Sequence, residues 1–303
     1  MISYDCMDHI ETIAPMGGTA RLSPDENTDS AIIFVHGFKG HPLKTWGKLP
    51  DMACADESHF WKRADLYFLS YKAEKLHVDD SAHRLSKYVS SVFPNPPVPM
   101  FERPLNKYDW TLSLVPRLPV VRIRPGPYTY SKLYLVGHSL GGLIIRRFVA
   151  DALQPFASTP EITPSTPVLT AKIRLFAPAH LGFLPSGWTG AAFNVSQQLM
   201  IGRILEAAMY RYRAYAHLHP KSRDITDVRR ITESLACLYP SVESLSAHLL
   251  WGEEEEIVDS GRYTCDLAIN EHYEPQKAHK DICKPTSVYR LPLEFIERGI
   301  AGV

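Results

Sequence analysis

Short apolar runs that alternate with helical patterns are the feature that most restricts the fold of this chain. Five such runs contain mainly Ile, Val, Leu, Phe, Tyr and Ala; they are residues 31–35, 66–70, 133–136, 173–177 and 247–251. Consecutive apolar positions, rather than alternating ones, are typical of strands that are buried on both faces. Strands separated by helices form a mostly parallel sheet covered by helices. The sequence therefore predicts an α/β fold.

Two stretches between these runs carry the pattern of amphipathic helices. In the first, Asp79 and Asp80 form an acidic first turn, and apolar residues follow at helical spacing as far as Val92. The second stretch, residues 142–153, continues directly from the third apolar run. A last helix is predicted at residues 288–298.

Two inserts interrupt this alternation. Residues 94–127 contain prolines at positions 94, 96, 97, 99, 104, 116, 119, 125 and 127, which predicts an extended loop because proline breaks regular elements. Residues 184–240 contain helical periodicity at 195–218 and 225–238, and we expect them to form a helical cap over the edge of the sheet. The whole chain, residues 1–303, is then a single domain with two inserts.

Composition argues against several functional classes. Thirty-three basic residues balance thirty-three acidic ones, so no net charge directs the chain to nucleic acid or to an anionic membrane. No apolar stretch approaches the roughly 18 residues that a membrane-spanning helix needs. The N-terminus lacks the basic leader and apolar core of a secretory signal, so we expect a cytoplasmic protein. The five cysteines are scattered and never in C-x-x-C spacing, which argues against a disulfide framework or a zinc site.

The third apolar run leads directly into a turn that contains glycine and serine. Residues 133–145 have the sequence LYLVGHSLGGLII, which is an apolar strand, a G-x-S-x-G turn and the start of a helix. Such a sharp strand-to-helix turn exposes the hydroxyl of Ser139, and the small residues Gly137 and Gly141 allow close packing of the backbone. Ser139 also lies at a helix N-terminus, where the helix dipole and free N–H groups favour developing negative charge. This context predicts a nucleophilic serine.

With this motif the chain resembles the α/β-hydrolase superfamily, and more narrowly its intracellular serine esterase and lipase-like branch, which includes the SERAC1-like proteins. Residues 31–46, AIIFVHGFKGHPLKTW, are similar to that branch's strand and HG loop. Residues 278–285, AHKDICKP, are similar to its C-terminal histidine loop. The resemblance covers most of residues 30–300, leaves both inserts unmatched, and implies an α/β-hydrolase fold with a mostly parallel central sheet.

An acyl-transfer site needs two backbone donors aimed at the oxyanion. The turn supplies the N–H of Leu140, the residue after the nucleophile. The resemblance assigns the second donor to Phe38, in the loop after the first apolar run. We expect the neighbouring His36 to brace this loop rather than to transfer a proton.

The order of the triad along the chain restricts the general base. In this fold serine comes first, then the acid, then histidine, and an acid after the fifth apolar run leaves His272 and His279 as candidates. His279 lies in a loop before the predicted last helix, where the base is expected. His272 lies in a segment that also fits the last strand, so we favour His279.

Four consecutive glutamates follow the fifth apolar run, and the acid is the least defined member of the site. The superfamily usually has Gly, two variable residues, Asp, one variable residue and two apolar residues here. Counting from Gly252 places Glu255 at the acid position. Glutamate in this place still holds the imidazole in the required tautomer. Glu254, Glu256 and Asp259 remain alternatives.

A further histidine follows the fourth apolar run. Residues 177–182, APAHLG, resemble the family's Thr-Pro-His-x-Gly-Ser turn, and this resemblance places His180 at the substrate pocket. Packing in the core is an equally good interpretation of His180. Aliphatic and aromatic residues of the cap likewise fit either core packing or an apolar acyl-binding wall.

These residues together predict a serine hydrolase that cleaves a carboxylic ester or thioester, lipid-like or other acyl, through an acyl-enzyme on Ser139. The mechanism requires no metal and no organic cofactor. Two alternatives stay open: an idle scaffold that binds a partner protein, and an amidase or peptidase with the same triad. Peripheral contact of the cap with a membrane also stays open, and the sequence identifies neither the substrate nor the oligomeric state.

Overall fold

One sheet forms the centre of the protein. The computed structural model describes residues 5–7, 17–73, 75–104, 120–126, 128–158, 168–183, 218–219 and 222–299. In chain order the strands are β1 (Asp5–Met7), β2 (Gly18–Leu22), β3 (Ser30–Val35), β4 (Ala64–Leu69), β5 (Glu102–Pro104), β6 (Val120–Arg122), β7 (Lys132–His138), β8 (Lys172–Phe176), β9 (Ala247–Glu254) and β10 (Glu271–Ala278). The helices are α1 (Leu49–Ala55), α2 (His59–Lys62), α3 (Val78–Val92), α4 (Leu140–Leu153), α5 (Arg223–Leu238) and α6 (Leu291–Arg298).

Within the described residues the sheet has eight strands in the order β1-β2-β4-β3-β7-β8-β9-β10. The strand β2 is antiparallel to both of its neighbours, β1 and β4. Every neighbouring pair from β4 to β10 is parallel. The mostly parallel sheet that the sequence predicts is therefore confirmed, and the carboxyl ends of its parallel strands meet at one edge.

The five predicted runs coincide with β3, β4, β7, β8 and β9. Every residue of β3 and β4 is buried, as expected for strands covered on both faces. The sequence analysis missed β1 and β2 and treated β10 only as an alternative, because these strands lie at or near the sheet edges. The edge strand β10, EHYEPQKA, is exposed or half-buried throughout, so it needs no apolar run.

Helices cover both faces of the sheet. Leu175 lies close to Gly142 of α4, whereas the next residue, Phe176, contacts Phe295 of α6 edge-on at 4.9 Å between ring centroids. Because successive side chains of a strand point to opposite faces, α4 and α6 lie on opposite sides. Neither α6 nor any other helix in the described part of the chain has both the length and the apolar character needed to cross a bilayer.

The last helix is shorter than predicted. It begins at Leu291 rather than at residue 288, and Val288 is almost fully exposed. Pro292 lies in the first turn of α6, where its missing N–H is not needed and its fixed φ favours helix initiation. Pro292 thus marks the beginning of α6, and the residues before Leu291 form a turn.

The proline-rich segment, residues 94–127, contains short regular structure at both of its described ends. A 3-10 helix spans Val98–Phe101, and β5 pairs antiparallel with β6. These elements accommodate the prolines, because Pro99 lies in the first turn of the 3-10 helix and Pro104 ends an edge strand. These elements differ from the continuous loop that the proline count predicted, and residues 105–119 lie outside the described residues.

A buried ion pair attaches this segment to the sheet. The guanidinium of Arg124 donates to both carboxylate oxygens of Asp65 on β4, at 2.9 and 2.6 Å. Arg124 also lies over the ring of Phe101, 4.6 Å from its centroid. The hydroxyl of Tyr130 donates to the same carboxylate. The charge of Asp65 is therefore compensated by a fork of donors, as a buried carboxylate requires.

The predicted cap, residues 184–240, is described only in part. Its second periodic stretch is the helix α5, which buries Ile225, Val228 and Leu235 and contacts α4. Ser222 caps this helix by accepting a hydrogen bond from the N–H of Ile225. Residues 184–217 lie outside the described residues, so a helical cap over the sheet edge stays a prediction.

Candidate active site

Ser139 lies in a strained turn between β7 and α4. Its backbone has φ 55° and ψ −123°, in the left-handed half of φ space that residues other than glycine rarely adopt. Its N–H donates to the carbonyl of Phe176 at 3.0 Å. Its own carbonyl accepts from the N–H groups of Gly142 and Ala179, at 2.9 and 3.0 Å. These bonds maintain the strained geometry of a nucleophile elbow.

Two glycines allow the neighbouring backbone to approach this turn. A Cβ atom on Gly141 would lie 2.0 Å from the carbonyl oxygen of Val35. A Cβ atom on Gly37 would lie 2.8 Å from the Cβ atom of Ser139. Both distances are too short for non-bonded atoms, so the loop after β3 and the Ser139 turn can meet only because glycine occupies both positions.

His279 and Glu255 form a buried pair at the carboxyl end of the sheet. The Nδ1 atom of His279 lies 3.0 and 2.9 Å from the two carboxylate oxygens of Glu255. The side chains are 9% and 3% exposed. One oxygen of Glu255 also accepts the N–H groups of Ile257 and Val258, at 2.9 and 3.1 Å. Donation from Nδ1 to Glu255 leaves the lone pair on Nε2 of His279, which is the arrangement a general base needs.

A single cavity brings the expected residues together. Besides Ser139 and His279, its described lining consists of Gly37, Phe38, Gly40, Thr45, His138, Phe183, Ile257, Lys280 and Lys284. Leu140, the other expected oxyanion donor, follows Ser139 as the first residue of α4, where a helix has N–H groups without intrahelical partners. Among the four carboxylates that the sequence left open, the structure places Glu255 against His279.

Solved structures of esterases and lipases are similar to this protein in architecture. No family model and no curated protein matches the sequence. Among solved structures, the esterase RhEst1 from Rhodococcus sp. ECU1013 is 11% identical, covering 99% of this chain and 100% of that chain with a TM-score of 0.46. The carboxylesterase CesB from Bacillus subtilis is 12% identical, covering 97% of this chain and 92% of that chain with a TM-score of 0.45. The Paleococcus ferrophilus monoacylglycerol lipase is 13% identical, covering 88% and 92% with a TM-score of 0.41.

The strand order, the antiparallel β2 and the elbow between β7 and α4 decide the fold class. The chain has the α/β-hydrolase fold. The fold places the ends of β3, β7, β9 and β10 at one edge, and this edge carries Phe38, Ser139, Glu255 and His279. The resemblance to the SERAC1-like branch stays a prediction.

The sequence analysis missed one residue of this candidate site. His138, the last residue of β7, donates from Nε2 to the backbone carbonyl of His279 at 2.8 Å. Burial, together with the nearby charges of His279 and Lys284, lowers the pKa of His138 to about 3, so the ring is neutral at neutral pH. Its Nδ1 atom has no hydrogen-bond partner among the described residues. His138 occupies a variable position of G-x-S-x-G, so the motif contained no signal for this contact.

His180 lies in the core of the protein. The side chain is fully buried, Nε2 donates to the carbonyl of Gly261 at 2.7 Å, and the ring stacks on Tyr263 at 4.7 Å between centroids. Burial lowers its pKa to about 4, and the positive charge of Arg146 adds to this effect. Within the described lining of the Ser139 cavity His180 does not appear, so the structure does not bring it to the substrate pocket.

The two remaining histidine candidates lie in structural positions. His36 donates from Nδ1 to the carbonyl of Gly37 at 2.9 Å and stacks on Tyr71 at 4.3 Å between ring centroids, which braces the loop that carries Phe38. His272 lies on β10, with Nε2 3.2 Å from a carboxylate oxygen of Glu274. In the described part of the chain, no group of three or more His, Cys, Asp or Glu side chains is placed to hold a metal ion.

Proposed function

We propose that this chain is a serine hydrolase that cleaves a carboxylic ester or thioester through an acyl-enzyme on Ser139. One observation carries the proposal: the Glu255 carboxylate holds Nδ1 of His279 at 2.9 and 3.0 Å, and that histidine shares a cavity with a serine on a strained elbow. A positioned base that is itself oriented by an acid is the arrangement that activates a serine.

The first half of the reaction acylates the serine. Nε2 of His279 removes the hydroxyl proton of Ser139, while the Oγ atom of Ser139 attacks the carbonyl carbon of the substrate. The carbonyl oxygen becomes an oxyanion, which accepts hydrogen bonds from the N–H groups of Phe38 and Leu140. The imidazolium of His279, stabilised by Glu255, then donates its proton to the leaving alcohol or thiol.

The second half returns the enzyme to its starting state. Water enters the place of the leaving group, His279 removes its proton, and the resulting hydroxide attacks the acyl-enzyme. Collapse of this second tetrahedral intermediate returns the proton from His279 to Ser139 and releases the acid. The elbow and the two N–H donors act in both halves, so the same preorganised geometry serves both steps.

Active-site labelling tests this proposal. The protein is incubated with a small fluorophosphonate, which reacts with activated serines, and its intact mass is measured. We expect a single adduct on the wild-type protein and none on Ser139→Ala. The adduct should be unchanged on the matched control Ser131→Ala, whose exposed residue immediately precedes β7.

If the protein takes the label, a fresh unlabelled sample is then assayed with acyl esters of graded chain length. The resemblance to the esterase and lipase-like branch makes neutral lipid-like esters the first choice. A folded wild-type protein that neither takes the label nor cleaves any ester would contradict the proposal. That result would favour the alternative of a scaffold that binds a partner protein.

A further inference from the structure

The cavity beside Ser139 carries positive charge on one side of its wall. Apart from the imidazoles of His279 and His138, the ionisable side chains in its described lining are Lys280 and Lys284, and none of those lining residues is acidic. Both lysines come from the loop that follows β10, immediately after the proposed base. The Glu255 carboxylate is bonded to His279 and to two backbone N–H groups rather than to either lysine.

Lys284 is held in position more firmly than an ordinary surface lysine. Its backbone N–H donates to the carbonyl of Asp281 at 3.0 Å, and the thiol of the preceding residue, Cys283, donates to the carbonyl of Thr45 at 3.4 Å. Its side-chain carbons cover Gly47, where a Cβ atom would lie 3.2 Å from Cγ of Lys284. Two thirds of the side chain is buried, since 33% is exposed. The stem is therefore held in place, and Lys284 is part of the described cavity lining.

The charge of Lys284 is only weakly compensated. Its Nζ atom lies 3.4 Å from a carboxylate oxygen of Asp281, whose side chain is 48% exposed. Ion pairs of such length and exposure contribute little, because water competes for both groups. The charge of Lys284 also reaches His138. Burial is the largest cause of the lowered pKa of His138, and the charges of His279 and Lys284 lower it further.

We propose that Lys284, assisted by Lys280, binds an anionic group of the substrate, a carboxylate or a phosphate, close to the ester or thioester that Ser139 attacks. This inference rests on the proposed function and specifies its substrate class. An ammonium group binds carboxylate and phosphate as a point charge, and attraction is stronger against a partly enclosed wall than in bulk water. Neutral acyl esters would occupy the same cavity without this contact.

Two pairs of matched esters test the proposal. In the first pair, 4-nitrophenyl hexanoate and mono-4-nitrophenyl adipate have acyl chains of equal length and differ in a terminal carboxylate. In the second pair, 1-hexanoylglycerol and 1-hexanoylglycerol 3-phosphate differ in a phosphate on the alcohol side. The measured quantity is the ratio of kcat/KM for the charged ester to kcat/KM for the neutral ester. The two pairs distinguish an acyl-side carboxylate from an alcohol-side phosphate.

The ratio is measured in the wild-type protein and in four variants. Lys284→Met and Lys284→Gln remove the charge, and two substitutions keep the test valid if one of them fails to fold. Lys280→Met tests the assisting lysine. Lys132→Met is the control, because Lys132 lies at the opposite end of β7 from Ser139, where it pairs with Asp29 at 3.0 Å.

In at least one pair we expect the wild-type ratio to exceed about ten at low ionic strength, and to fall about tenfold in either Lys284 variant. We expect a decrease of roughly threefold in Lys280→Met, none in Lys132→Met, and a smaller wild-type ratio at about 0.5 M salt because of screening. Wild-type ratios near one in both pairs, or ratios that the Lys284 variants leave unchanged, would overturn the inference. Absence of turnover and of fluorophosphonate labelling would instead refute the proposed function, so the two failures are distinguishable.

Discussion

His279 and His180 show how one kind of side chain serves two purposes in this molecule. Each follows a parallel strand at its carboxyl end, and each is largely buried. His279 meets the carboxylate of Glu255 and lines the cavity that contains Ser139. His180 donates to a backbone carbonyl and stacks on Tyr263. The difference lies in the partner, because a carboxylate stabilises an imidazolium and a carbonyl in a dry core does not compensate its charge.

The surroundings of His180 strengthen this contrast. Arg146, which is buried, donates to the carboxylate of Asp266 at 2.6 Å and lies over the ring of Tyr263, 4.8 Å from its centroid. Its positive charge adds to burial in lowering the pKa of His180. His180 is thus kept neutral by burial beside a guanidinium, whereas His279 has a carboxylate against its Nδ1 atom. Proximity to the sheet edge alone therefore does not identify a catalytic histidine.

The largest expected effect is the difference in kcat between a variant of His279 and a variant of His180. We expect His279→Ala to lower kcat by about 10⁶, the size of loss seen when the base of a serine triad is removed. We expect His180→Gln, which retains a donor for the carbonyl of Gly261, to keep kcat within about threefold. The measurement is ester turnover by proteins that circular dichroism shows to be folded. A greater loss in His180→Gln than in His279→Ala would reverse the comparison.

The next effect tests Glu255, the partner of the proposed base His279. Glu255→Gln is expected to lower kcat by about 10⁴, because an amide does not hold the imidazole in the required tautomer. The matched control is Glu256→Gln, whose exposed side chain is one residue further along the chain. Steady-state kinetics at neutral pH compare the two. A larger loss in Glu256→Gln or in Asp259→Asn would show that another carboxylate is the acid.

A third prediction concerns the dependence of stability on pH. Since the pKa of His180 is about 4 in the folded protein and about 6.5 in an unfolded chain, the unfolded state binds the proton first as pH falls. The free energy of unfolding should therefore fall between pH 6.5 and pH 4, by about 1.4 kcal/mol per pH unit for each such proton. His180→Gln should flatten this slope by about one proton, as measured by urea unfolding at several pH values. Equal slopes in both proteins would contradict the assignment of His180 as a buried neutral ring.

The smallest expected effect concerns His138, the third imidazole. His138→Leu removes the donor to the carbonyl of His279, and we expect the misplaced base to lower kcat by about tenfold with little change in KM. His138→Gln, which offers a donor at a similar position, should recover most of this loss. Equal losses of activity in both variants, or a change in KM instead of kcat, would show that this hydrogen bond does not position His279 for the reaction.

The predictable parts of this molecule are those in which neighbouring residues constrain one another. The buried strands β3, β4, β7, β8 and β9 were predicted because burial on both faces requires consecutive apolar residues. The edge strand β10 was only an alternative, because a strand that is exposed or half-buried has no such pattern. The strand pair β5 and β6 was not predicted, because each of its strands is only three residues long. The predicted end of the last helix is correct, whereas its start lies at Leu291 instead of residue 288, because Pro292 favours initiation there.

Within the site, the same distinction holds. The elbow at Ser139 was predicted because the turn is local. Glycine, serine and glycine at fixed spacing between a strand and a helix are compatible with few backbone conformations. Counting along the loop favoured Glu255 among four carboxylates, yet only the register of β9 and β10 brings it to His279, 24 residues away. For His180 a resemblance over six residues left the substrate pocket and core packing as equal interpretations, and the structure places the side chain in the core.

The sequence by itself determined an α/β fold, a strained serine turn and a short set of histidines and carboxylates at the carboxyl ends of its strands, because periodicity and turn chemistry are local. The tertiary structure decided which members of that set meet. The hydrogen bond between His138 and His279 joins residues 141 positions apart, and no local pattern specifies such a pair. It arises because β7, β8, β9 and β10 lie side by side, so that loops distant in the chain converge on one edge of the sheet.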